Sequence, residues 1–292
     1  MFKNIKLFYY SGTGNTKYVT EMIASEFSKK QVHTELINIE DIVNKDLKIE
    51  FKETDLIGIS HPVIAFATPK IMIRFINKMP KALNKVFIYK TAADPSKLNN
   101  YASEFLINHL NFKGYTITCD ELFVMPCNFI IEYKASLIKQ LIVKAENKAK
   151  VLVSNLIQHK TQYSKDNKWY KSLILKVNKL EQEKGALRFS KSLKVNSNCN
   201  LCQKCVSSCP TQNIVLSNNK IAFLDKCEMC MRCLYSCNQK AITTKYKFMV
   251  LKNGYSINTI KAIKKNDVIE ANYIHSKTKG YYKHFKKYLL DS

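Results

Sequence analysis

The chain has 292 residues, 46% hydrophobic and 24% charged, which is room for about two domains of ordinary globular composition. Lys and Arg total 47 against 23 Asp and Glu, a net charge of +24, yet only Arg74, Arg188 and Arg232 are arginines. So few guanidinium forks argue against a dedicated nucleic-acid reader and leave non-specific attraction to acidic partners.

No run can span a membrane: "LIGISHPVIAFATPKIMI" is broken by His61, Pro62, Pro69 and Lys70. The early apolar run "IKLFYY" is too short for a signal peptide. The expected location is the cytoplasm, where ten cysteines read as thiols rather than disulfides.

In chain order, residues 3–10 read as a buried strand, and Tyr18, Val19, Met22, Ile23 and Phe27 place a helix over 15–29. Strands follow at 32–39, 55–60, 85–91 and 115–125. Helices are expected at 69–79, with Pro69 at its start, at 96–110 and at 132–158. Five strands alternating with helices predict an α/β fold with a doubly wound parallel sheet, filling a first domain over 1–160. Residues 161–195 read as a basic linker holding one helix near "KSLILKVNKLEQ". A compact cysteine-rich unit occupies 196–245, and 246–292 is a basic extension with little expected structure.

The loop after the first strand is "SGTGNT", residues 11–16. A P-loop counted from Gly12 needs Gly where Lys17 stands, and a dinucleotide fingerprint on Gly12 and Gly14 fails at the same position. What remains is S-x-T-G-x-T: Ser11, Thr13, Gly14 and Thr16, with Asn15 inside. Gly12 and Gly14 permit a tight turn, hydroxyls add donors, and the next helix offers its amides to an anion. A plain Ser/Thr-capped strand–turn–helix connection is the alternative. The stretch resembles the phosphate loop of flavodoxins, which implies a flavodoxin-like fold and FMN.

In such sheets ligands lie at the carboxyl ends of the strands. The loops after strands three and four then become candidate walls for the flavin ring, with Pro62, Phe66, Thr91 and Ala92 as contacts. Phe66 reads equally well as a core residue, and His61 reads better as a satisfied loop residue than as a flavin ligand.

Two runs share one spacing: Cys199-x2-Cys202-x2-Cys205-x3-Cys209, followed by Pro210, and Cys227-x2-Cys230-x2-Cys233-x3-Cys237, followed by Asn238. Zinc sites pair their ligands differently. Cys119 and Cys127 lie outside the runs and read as buried thiols. The runs resemble bacterial two-cluster ferredoxins. That resemblance implies two [4Fe–4S] clusters in a small α+β ferredoxin-like domain, with the fourth cysteine of each run crossing to the other cluster. One set is then Cys199, Cys202, Cys205 and Cys237, and the other Cys227, Cys230, Cys233 and Cys209.

Taken together, residues 1 to about 245 resemble flavodoxin–ferredoxin fusion proteins, which implies electron transfer with partner redox proteins. Three alternatives stand beside that carrier: a flavin-dependent reductase of a small acceptor, a flavin-free ferredoxin on a scaffold domain, and a basic nucleic-acid binder. Lys283, Lys286 and Lys287 in the tail could dock an acidic carrier or form a solvated end.

Overall fold

The structure, a computed structural model, describes residue 2, residues 4–160, residue 163 and residues 184–291. The first unit runs β1 (Asn4–Tyr9), α1 (Asn15–Ser28), β2 (His33–Asn38), α2 (Ile39–Lys45), β3 (Asp55–Pro62), α3 (Lys70–Lys78), β4 (Lys85–Ala92), α4 (Lys97–Asn100), α5 (Glu104–Phe112), β5 (Thr116–Val124) and α6 (Ala135–Ile157). All sheet pairings are parallel, in the order β2-β1-β3-β4-β5, the flavodoxin-like doubly wound arrangement. The central strands are buried on both faces, so they read as continuous apolar runs.

Two cores result. Helices α2, α3 and α5 cover one face through Ile42, Phe75, Ile76 and Leu110. Helices α1 and α6 cover the other through Ile23, Phe27, Leu141 and Leu152. Helix α2 is absent from the sequence reading: it starts directly at the end of β2, where the Asn38 side chain accepts from the Glu40 amide as its cap. The helix expected over 96–110 is broken instead into α4, a 3₁₀ turn at Tyr101–Ser103 and α5.

The helix expected near 171–182 lies outside the described residues. Residues 184–192 are helical and lead into a small unit. There β6 (Leu193–Val195) pairs antiparallel with β9 (Ile242–Thr244), and β7 (Ile214–Ser217) forms a hairpin with β8 (Lys220–Phe223). Two short helices, α7 (Lys204–Ser207) and α8 (Arg232–Ser236), each carry the third cysteine of a triplet, Cys205 and Cys233. The buried apolar core of this unit is Phe189, Leu193, Met231 and Ile242.

The C-terminal extension departs from expectation. It forms α9 (Ile257–Lys265) and α10 (Phe285–Leu290), and its Ile260, Ile274 and Phe285 join the core beneath α6. The Tyr288 hydroxyl accepts from the Val124 amide at 2.9 Å. These apolar anchors stand far apart among lysines, so no helical period exposes them in the sequence. Among the described residues, no helix is long and apolar enough to cross a membrane.

Candidate cofactor sites

The "SGTGNT" loop lies where β1 meets α1. Gly14 takes φ 108 as the N-cap of α1 and provides no side-chain cap. Ser11 Oγ accepts from the Gly14 amide at 3.2 Å. Thr13 Oγ1 accepts from Asn128 Nδ2 at 2.7 Å, and the Asn15 amide spans Pro126 O (2.9 Å) and the Tyr255 hydroxyl. The buried hydroxyls of Thr16 and Thr91 meet at 2.8 Å, which joins the first loop to the end of β4. Asn128 lies in "MPCNF", a segment to which the sequence reading gave no role.

The outer side of this loop faces the cysteine-rich unit. Arg232 donates to the carbonyls of Ser11 (2.7 Å), Gly12 (2.9 Å) and Ser208 (2.7 Å), and its Nη1 also reaches Glu40 at 2.7 Å. In a trans peptide the C=O and N–H point in opposite directions. Holding the Ser11 and Gly12 carbonyls outward therefore turns the amides of Gly12 and Thr13 inward, towards the start of α1. A Cβ on Gly12 would sit 2.7 Å from Cys230 O, and one on Gly14 would sit 2.8 Å from the Ile257 side chain. Both glycines are required by close approach.

The candidate ring contacts differ in exposure. Phe66 is exposed, at φ 58 in a tight turn closed by the Ile64–Ala67 bridge. Pro62 is half-buried, while Thr91 and Ala92 are buried at the end of β4. His61 is fully buried between Pro62 O (3.0 Å from Nδ1) and Ser103 Oγ (3.4 Å from Nε2), and burial pushes it down to about 4. That is a satisfied core histidine.

The eight cysteines of the two runs gather in two groups. Cys199, Cys202, Cys205 and Cys237 line one cavity. Cys233 lies within electrostatic reach of Cys230, Cys227 and Cys209 and, most weakly, of Cys205 in the first group, and Cys209 also acts on Cys227 and Cys230. The last cysteine of each run thus sits with the triplet of the other. Burial raises the thiols of Cys205, Cys230 and Cys233, and it takes Cys227 up to about 12. Backbone amides point at three of the sulfurs: Asn213 N at Cys209 (3.2 Å), Met229 N at Cys227 (3.3 Å) and Ala241 N at Cys237 (3.4 Å).

Five buried side-chain atoms have no nitrogen or oxygen partner among the described residues: the hydroxyls of Tyr10, Ser208 and Ser236, and one oxygen each of Asp55 and Asp120. Ser208 and Ser236 precede Cys209 and Cys237 in sequence. The Tyr10 hydroxyl hydrogen-bonds the Cys230 sulfur, which favours the thiolate there. Also among the described residues, no three His, Cys, Asp or Glu side chains converge as one metal ion requires. A cubane makes no such demand, because each thiolate binds a different iron. The donor set, the amides on sulfur and the Tyr10 hydroxyl at Cys230 suit such a group.

Beside Arg232, a second tie crosses between the units. Glu228 is buried, and its two oxygens accept from Lys70 N and Ile71 N at 3.0 Å each, capping α3 from the cysteine loop. Sequence reasoning missed Tyr10, Glu40, Asn128, Glu228, Arg232 and Tyr255. Arg232 had the only signal available, as one of three arginines and inside a cysteine run. Cys119 and Cys127 are buried, as expected of structural thiols.

No family model and no curated protein matches the chain. Among solved structures, it is similar to a short-chain flavodoxin associated with a non-canonical PDU bacterial microcompartment, at 12% identity and TM-score 0.39, over 54% of this chain and 98% of that one. Flavodoxin 2 from Bacillus cereus gives 14% identity and TM-score 0.40, over 53% of this chain and 98% of that one. Rubredoxin oxygen:oxidoreductase from Desulfovibrio gigas gives 10% identity and TM-score 0.34, over 54% of this chain and 37% of that one. The fold itself is read from the strand order.

Proposed function

We propose that this chain is an electron-transfer protein that holds two [4Fe–4S] clusters and one FMN and exchanges electrons with partner redox proteins. The observation that carries the reading is the crossing of the cysteines, with Cys237 lining the cavity of the first triplet and Cys209 beside the second. In this reading Cys199, Cys202, Cys205 and Cys237 hold one cluster, and Cys209, Cys227, Cys230 and Cys233 hold the other. The Ser11–Thr16 loop holds the flavin phosphate, with Pro62, Phe66, Thr91 and Ala92 near the ring. When bound, the clusters pass single electrons and the flavin passes one or two.

The chain's own residues supply the setting. The amides of Asn213, Met229 and Ala241 and the Tyr10 hydroxyl stabilise charge on sulfur. Arg232 offsets negative charge beside Cys230 while fixing the first loop's carbonyls outward. Amides turned inward at the start of α1, a helix of 14 residues, suit a phosphate.

A flavin-free carrier is the second reading. One observation favours it: Ser11, Thr13, Asn15 and Thr16 already have protein partners, and Cys230 and Ile257 close over the loop's glycines. Iron, acid-labile sulfide and flavin per chain, measured on protein purified without oxygen, decide between the two. About eight irons and one FMN are expected. About four irons or fewer would overturn the two-cluster assignment, and about eight irons without flavin, even after FMN is added, would leave the second reading.

A further inference from the structure

A cleft of about 620 Å³ opens between the start of α6, the cysteine-rich unit and the C-terminal extension. That volume is typical of small-molecule sites. Buried Ile138 and Ile260 contribute apolar floor, and Tyr133, Tyr235 and Tyr255 contribute rings.

The hydroxyls of all three tyrosines are engaged elsewhere. Tyr133 donates to Ala93 O (2.7 Å), Tyr235 donates to Asn128 O (2.9 Å) and accepts from Leu251 N (3.0 Å), and Tyr255 bonds Asn15. Each therefore offers the cleft an apolar ring rather than a polar tip.

The rim is cationic. Lys240 and Lys252 are exposed, line the cleft and have no side-chain hydrogen bond or ion pair among the described residues. One carboxylate also lines the rim, Glu132, which accepts from Asn253 Nδ2 at 2.8 Å and leaves two cations against one anion. A ligand matching these walls has a flat apolar body and an anionic group.

Cys237 lines both this cleft and the cavity of the first cysteine group. We infer that the cleft binds a small flat apolar anion against the Cys237 wall. Its neighbourhood to a cluster rests on the proposed function, whereas the cleft and its lysines do not.

The test is equilibrium dialysis of 8-anilino-1-naphthalenesulfonate against the full chain purified without oxygen, with iron and flavin counted on the same sample. One saturable site is expected. Lys240→Gln together with Lys252→Gln should weaken it at least tenfold, and uncharged 1-naphthol should bind at least tenfold more weakly than the sulfonate. Thr259→Trp, at an exposed position of α9 lining the cleft, should abolish the site, while Lys283→Gln should leave it unchanged. No saturable binding, or binding indifferent to the paired lysine change and to Thr259→Trp, overturns the inference. A low iron count with the site intact would defeat the cluster assignment and leave the cleft standing.

Discussion

The parallel-sheet unit and the cysteine-rich unit satisfy their atoms in opposite ways. The sheet unit has two large apolar cores, and the polar side chains of its first loop are bonded to protein. The cysteine-rich unit buries four apolar residues in a core of its own, carries raised thiols and leaves the buried hydroxyls of Ser208 and Ser236 without a partner among the described residues. Burial alone supports the first. The second has a small apolar core, and in the proposed reading what the sulfurs bind completes it.

The largest expected effect separates the two directly. Removing iron, or changing Cys209 to Ser, should make residues 196–245 sensitive to protease while the five-stranded sheet keeps its circular dichroism. Limited proteolysis with mass spectrometry reads this. Equal resistance of both regions after iron loss would erase the contrast.

Arg232→Gln comes next. It breaks a largely buried, bidentate pair with Glu40 and three bonds to carbonyls. A cost of about 3–5 kcal/mol is expected in chemical denaturation, together with weaker FMN binding by fluorescence titration. Unchanged stability would show that the units dock without this side chain.

A comparable effect should come from His61. It is neutral and buried, with its proton affinity lowered to about 4 from 6.5. Between those values the unfolded chain takes up a proton that the folded chain does not, so stability falls as pH drops, by about 3 kcal/mol in all. Melting of the wild type should fall more steeply from pH 6.5 to 4 than that of His61→Gln. Parallel curves would remove His61 as the cause.

Gly12→Ala should cost about 1–3 kcal/mol, because its Cβ would meet the Cys230 carbonyl, which cannot swing away as a side-chain tip can. Thermal melting checks it, and a neutral result would loosen the contact between loop and cysteine run. Tyr10→Phe should have the smallest effect on stability, within about 1 kcal/mol, because its hydroxyl meets only the Cys230 sulfur, a weak acceptor. It should nevertheless make one cluster harder to reduce in a potentiometric titration followed by electron paramagnetic resonance. An unshifted potential would detach that hydroxyl from the sulfur site.

Much of the first unit was legible in its sequence, because strands buried on both faces leave continuous apolar runs between helical periods. The cysteine spacing was legible for another reason: repetition at fixed intervals survives any amount of lysine around it. What stayed hidden is long-range. Arg232 and Glu228 find partners about 190 and 158 positions away, and no local period announces such pairs. Tyr10 read only as the last residue of a strand, and its nearness to Cys230 arises from docking. The extension was misread because Ile260, Ile274 and Phe285 are single anchors rather than a stripe.

Glu228 and Arg232 stand two residues to either side of Cys230. One grips the start of α3 and the other the first loop, and the half-buried Cys230 lies between them. That thiol is easier to load with iron and sulfide before both grips close. In the proposed reading, assembly therefore has an order: the cysteine loop is loaded while free, and docking follows as the sign that loading is complete. The interface would then serve as a checkpoint in biogenesis, with unloaded chains betrayed by an uncapped α3 and an uncovered first loop.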